Sequence, residues 1–176
     1  MGAAHFGGPI GSGPAGRSRI SGASPSLNSP GSLGGFRARG PYLLDCSAWS
    51  RIKSGQLDER AISQRYARAL LVTTTVQLLE LLFTARNPNQ WDTYNAELRR
   101  HTLLEPTPTT HAMALDIQQR LWHSGRMRSV GVVDCAIAAI ALRYNVTVVH
   151  YDADFDHIKT VVPEFRHEWV AQKGTL

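Results

Sequence analysis

The sequence predicts an α/β protein, a three-layer α/β/α sandwich around a short, mainly parallel central sheet. Three observations predict it. Short apolar runs alternate with longer stretches whose apolar residues recur every three or four positions. The stretch VGVVDCAIAAIALRYN at 130–145 is a helix rich in small residues, and Ala136, Ala138, Ala139 and Ala141 let it lie close against a sheet. The run VTVVHY at 146–151 is apolar without alternation, as in a strand covered on both faces.

In chain order, the first 40 of the 176 residues are rich in Gly, Ser and Pro and are expected to be disordered, because their scattered apolar residues cannot offset the entropy of ordering. They hold Arg17, Arg19, Arg37 and Arg39 and no acid, which accounts for four of the five net positive charges. The remaining 41–176 form one domain that is close to neutral, so the basic balance is no argument for a nucleic-acid surface. The tail has arginines and no acids, as in a transit peptide, but the plainer reading is an extended N-terminus. No apolar run reaches the length of a membrane span, and a cytoplasmic location is expected.

YLLDC, from Tyr42, reads as a buried strand turning into a helix around Ser47. Helical spacing follows at 58–70 and 75–86, and a third helix is expected at 90–101, after the Asn-Pro-Asn breaker. LLEP at 103–106 reads as a short strand closed by prolines. The stretch 111–125 is amphipathic through Met113, Ile117 and Leu121, with Gly125 suited to its C-cap. After the helix at 130–145 and the strand at 146–151, HEWVA supplies a last strand.

Function is sought at the carboxyl ends of such strands. Asp45 ends the first strand, Asp152 ends the third, Asp134 opens the alanine-rich helix, and Glu80 lies in an otherwise apolar helix. Four carboxylates from distant parts of the chain would meet at one sheet edge, and their repulsion demands a positive partner. Asp152, Asp154 and Asp156 match the first positions of a calcium loop, but His157 stands where Gly is required and Pro163 where Glu belongs. The string VVHYDADF resembles the nucleophile motif of haloacid-dehalogenase-like phosphatases, yet too little chain follows for that fold's other motifs. A carboxylate cage for Mg²⁺ or Mn²⁺ remains. Cys46 and Cys135 lack zinc spacing and read as buried packing residues.

Four segments, in order, resemble the PIN-domain ribonucleases, and more closely their VapC-type toxins. They are YLLDCSAWSRI, QLLELLFTARN, VGVVDCAIAAIALRYNVTVVHYDADFDHI and EWVAQKGTL, and the resemblance spans nearly all of 41–176. It implies a PIN-like fold and an acidic cluster of Asp45, Glu80, Asp134 and Asp152, with Asp154 as an auxiliary acid and metal contact. Ser47 follows the Asp-x-Ser pattern and is expected to hydrogen-bond Asp45 or a metal-bound water. Many relatives carry Thr where His150 stands. Arg51 and Arg86 lie near the matched segments as phosphate contacts, while Asp156 reads as a solvated first-turn helical residue.

The implied activity is metal-dependent cleavage of RNA by activated water, leaving 3′-hydroxyl and 5′-phosphate ends. The implied partners are an RNA substrate, a second copy, and a VapB-like antitoxin in a heterotetramer or larger assembly. Two other readings stay open: a non-catalytic PIN-like protein that binds RNA or a partner, and a PIN nuclease of RNA or DNA processing outside any toxin–antitoxin pair.

Overall fold

The computed structural model describes residues 40–126 and 128–176, so the tail expected at 1–40 lies outside the described residues, Gly40 excepted. Among the described residues five strands form one sheet: β1 (Tyr42–Leu44), β2 (Leu71–Thr74), β3 (Thr102–Leu104), β4 (Thr147–His150) and β5 (His167–Trp169). Their order is β3-β2-β1-β4-β5 and every pairing is parallel. The helices are α1 (Cys46–Lys53), α2 (Glu59–Tyr66), α3 (Thr75–Phe83), α4 (Pro88–Leu98), α5 (Pro108–His123), α6 (Val132–Tyr144) and α7 (Asp154–Val161).

The period-two alternation of the strands sorts side chains to two faces. Leu43, Val72 and Val148 pack with Ile117 and Leu121 of α5, Ile137 and Ala138 of α6, and Phe155 and Ile158 of α7. On the other face Tyr42, Leu44 and Val149 join Ala48 of α1 and Ile62 and Tyr66 of α2. A third cluster ties α1 to α3 and α4 through Trp49, Leu78, Leu81 and Leu98. These are the three layers expected, with Phe155 and Trp49 in the core; Trp122 is exposed. No described helix is long and apolar enough to cross a membrane.

The sequence reading misses β2. Its LVTT run is β-branched, but it abuts the next helix with no turn residue between them. Thr74 ends the strand and also caps α3, its Oγ1 accepting from the Val76 N–H at 3.0 Å. Two other helices start earlier than expected for local reasons. Asn87 caps α4 ahead of Pro88, and Thr107 with Thr110 forms a reciprocal capping box ahead of Pro108 in α5. Gly125, just past α5, is left-handed at φ +78°, as a helix-ending glycine should be.

The order of strands puts the topological switch point between β1 and β4, where the chain departs in opposite directions. One polar link fixes α3 to the end of β1. The β1–β2 ladder ends at Leu43–Val72, and the buried Gln77 amide of α3 donates to the Leu44 carbonyl beyond it while accepting from Thr73 Oγ1 at 2.9 Å. Gln77→Leu strands both partners without water, so it should lower unfolding free energy by about 1–3 kcal/mol. Urea denaturation followed by circular dichroism checks it, and an unchanged midpoint would show the link to be dispensable.

Candidate active site

Asp45 sits at the end of β1, only 3% exposed, because the strand must become α1 there. Its Oδ2 caps the helix, accepting from the Ser47 N–H at 2.9 Å and the Ser47 hydroxyl at 2.7 Å. The same hydroxyl accepts the Tyr151 N–H at 2.9 Å, so Ser47 bridges the ends of β1 and β4. Asp45 Oδ1 is left over. It and Glu80 Oε2 are buried atoms that meet no hydrogen-bond donor among the described residues. Ligand atoms of Asp45, Cys46 and Glu80 lie within 4.8 Å of one another.

Asp134 enters from α6, in its first turn, where Gly131 is the N-cap and supplies no side chain. A Cβ on Gly131 would lie 2.5 Å from Asp134 Oδ2, so glycine leaves the carboxylate its space. The Gly131 N–H donates to Asp154 Oδ2 at 3.1 Å, and the Asp154 N–H donates to Asp152 Oδ1 at 3.0 Å. The turn after β4 is thereby clamped to the start of α6. The acids expected to converge do so electrostatically: beyond burial, the charges raising Asp134 are those of Asp45, Asp154, Asp152 and Glu80.

Burial pushes the Asp45 carboxyl up to about 6, against the lowering effect of Ser47. Burial and then the neighbouring acids push Asp134 up to about 7. Asp154 is also raised, by burial and by Asp152. The Cys46 thiol is driven far up by burial, with Asp45 and Glu80 adding to it, so it stays protonated beside the cluster. Its weak Sγ contact to the Gln77 carbonyl, at 3.8 Å, is a packing contact.

Two expectations need revision. Asp156 is not a free solvated acid: its Oδ1 accepts from Trp169 Nε1 at 2.9 Å and its Oδ2 pairs with Lys173 at 3.0 Å. Arg51 is committed locally, donating to the Ser47 carbonyl at 2.8 Å and stacking on the Tyr151 ring at 4.3 Å. Arg86 is exposed on the turn between α3 and α4. Sequence reasoning overlooked Gln77 and Gly131. Gln77 had one signal, a polar residue one turn before Glu80 on an apolar helix.

A concavity of about 480 Å³ lies between α1, α2, α4 and the sheet. Trp49, Ile52, Ile62, Tyr66 and Leu98 wall it.

A carboxyl that binds its proton more tightly in the fold than in the unfolded chain stabilises the fold at low pH and loses that contribution as pH rises through its folded value. Asp134 titrates near 4 when unfolded and at about 7 in the fold. Asp134→Asn should therefore raise the Tm of the metal-free protein, with a gain that grows from about pH 4 to pH 7 and then levels off. A gain independent of pH would mean that neither burial nor the neighbouring acids raise the Asp134 carboxyl.

A sequence model of the PIN domain matches residues 42–161. The curated ribonuclease VapC51 of Mycobacterium tuberculosis is 33% identical over 135 residues, 77% of this chain and 96% of the relative. Ribonuclease VapC21 of the same species is also 33% identical over 135 residues, 76% of this chain and 96% of the relative. Among solved structures, the DNA-bound VapBC complex from Salmonella typhimurium aligns with a TM-score of 0.62 at 18% identity, over 74% of this chain and 98% of that one. That last likeness carries the fold, and the matches in sequence carry the family. The chain belongs to the PIN-domain family and, within it, to the VapC proteins.

Proposed function

We propose that the chain is an endoribonuclease dependent on a divalent cation, Mg²⁺ or Mn²⁺, and that it serves as the cytoplasmic toxin of a toxin–antitoxin pair. The observation that carries the metal is the pair of buried oxygens without donors, Asp45 Oδ1 and Glu80 Oε2, on residues whose ligand atoms lie within 4.8 Å of one another, with Asp134, Asp152 and Asp154 adding negative charge to the cluster. Carboxylate oxygens suit a hard cation. Asp45, Glu80, Asp134 and Asp152 would hold it, with Asp154 assisting, and it would supply the charge that activates water and offsets that of the phosphate. The names of the curated relatives, ribonucleases VapC51 and VapC21, support RNA as substrate.

The chain's own residues divide the work. Ser47 ties down Asp45 Oδ2 and leaves Oδ1 to the cation. Asp154 and Gly131 fix the Asp152 turn against α6. Gln77 holds the Glu80 helix to β1. Of the two arginines expected to meet phosphate, exposed Arg86 is the one left available, and Arg51 braces the first turn of α1 against Tyr151 instead.

The partner reading is a VapB-like antitoxin on a toxin homodimer, in a heterotetramer or larger complex. Leu79 and Phe83, four residues apart on α3 and 69% and 91% exposed, form an apolar face beside Glu80. That face and the cleft walled by Trp49, Ile62 and Tyr66 would take apolar side chains of such a partner.

Asp134→Asn should lower RNA cleavage by about a hundredfold or more, since loss of even a supporting group at a metal site typically costs 10–100-fold. The measurement is single-turnover cleavage of total cellular RNA with Mg²⁺ or Mn²⁺, beside a melting curve showing that the variant is folded. Undiminished cleavage by the folded variant would overturn the assignment. Absence of both cleavage and divalent-cation binding in the parent protein would favour the non-catalytic reading.

A further inference from the structure

A second group of metal-ligand types lies behind the acids. Donor atoms of His150, Asp156 and His167 fall within 4.8 Å of one another. Their hydrogen bonds argue against a cation there. The Asp152 N–H donates to His150 Nδ1 at 3.1 Å, so that nitrogen presents a lone pair and the ring proton sits on Nε2. His150 Nε2 lies 2.7 Å from His167 Nδ1 and donates to it. A metal on His150 Nε2 would drive the proton to Nδ1, head-on against the Asp152 N–H. Asp156 is already engaged by Trp169 and Lys173.

The same bonds link the turn that carries Asp152 through β4 to β5, each donated from the turn side: the Asp152 N–H to His150, and His150 to His167. His150 is fully buried among the rings of Phe155, His167 and Trp169, with centroids 4.8, 5.0 and 5.0 Å away. It has one orientation, set by His167, and its Nδ1 seats the backbone two residues on, as the side chain of an Asx-turn does. From Asp152 the chain of bonds continues through Asp154 to Gly131, at the N-cap of the Asp134 helix.

We propose that His150, oriented by His167, is a positioning residue that fixes the Asp152 turn and so presents the Asp152 carboxylate to the cation. The inference rests on reading the acid cluster as a metal site. It assigns no ligand role to either imidazole.

The test is Mn²⁺ affinity by calorimetry, with melting temperature measured in parallel, on the full chain and three variants. His150→Leu removes the acceptor and should bind Mn²⁺ about 10–100-fold more weakly, the usual effect of losing an outer-shell partner. His150→Asn keeps an acceptor one bond from Cγ, where Nδ1 stands, and should hold near-parent affinity. Both variants lose the bond to His167, so both should melt below the parent. A merely structural histidine would move affinity and melting together, and equal affinities in the two variants would overturn the proposal. Asp152→Asn separates the levels. If it binds Mn²⁺ like the parent, the cluster reading fails and the positioning role with it. If it binds weakly while His150→Leu binds tightly, the positioning role alone fails.

Discussion

Crowding of negative charge at the carboxyl ends of β1 and β4 is the constraint that organises this molecule. Two unit charges about 5 Å apart in an effective dielectric near 20 repel by on the order of 3 kcal/mol. Five acids from four segments share that region. The Asp45 and Asp134 carboxyls are raised by burial first and by neighbouring acids second. A helix cap contributes about 1 kcal/mol, so local hydrogen bonds alone do not offset the repulsion. The layers of apolar side chains on both faces of the sheet do so, and the polar links decide where each carboxylate stands.

Those links work on the backbone more than on the acids themselves. Asp45 is held by the strand-to-helix turn that it caps. Glu80 is held at one remove, through Gln77 and the carbonyl where the β1–β2 ladder stops. Asp134 is held by a glycine that yields it space, and Asp152 by an imidazole behind the turn. What surrounds the carboxylates sets where the proposed cation would sit, beside the oxygens left without donors.

Much of this was legible in the sequence. The period of apolar residues gave the helices, and the acids at strand ends gave the edge of the sheet where carboxylates gather. What escaped, β2 apart, was short-range in space and long-range in sequence. β2 was hidden because Thr74 finishes a strand and caps a helix at once. The His150–His167 bond depends on β4 and β5 lying side by side, which no spacing reveals. Asp156 was read as solvated because its partners, Trp169 and Lys173, come from the next strand and the segment after it. Arg51 looked available because the aromatic ring that occupies it is a hundred residues away in sequence.

Two acids of the cluster, Asp45 and Asp134, answer to opposite pressures during sequence drift. Asp45 is part of the folding machinery as well as the cluster, because one of its oxygens starts α1. A descendant that had abandoned chemistry would still be selected to keep Asp or Asn there. Asp134 caps no helix, and its charge works against the fold wherever no cation answers it. Once chemistry is released from selection, stability alone favours its loss. In comparing diverged copies of this domain, the acid of the alanine-rich helix is therefore the sharper marker of a working site, and the acid of the first strand the weaker one.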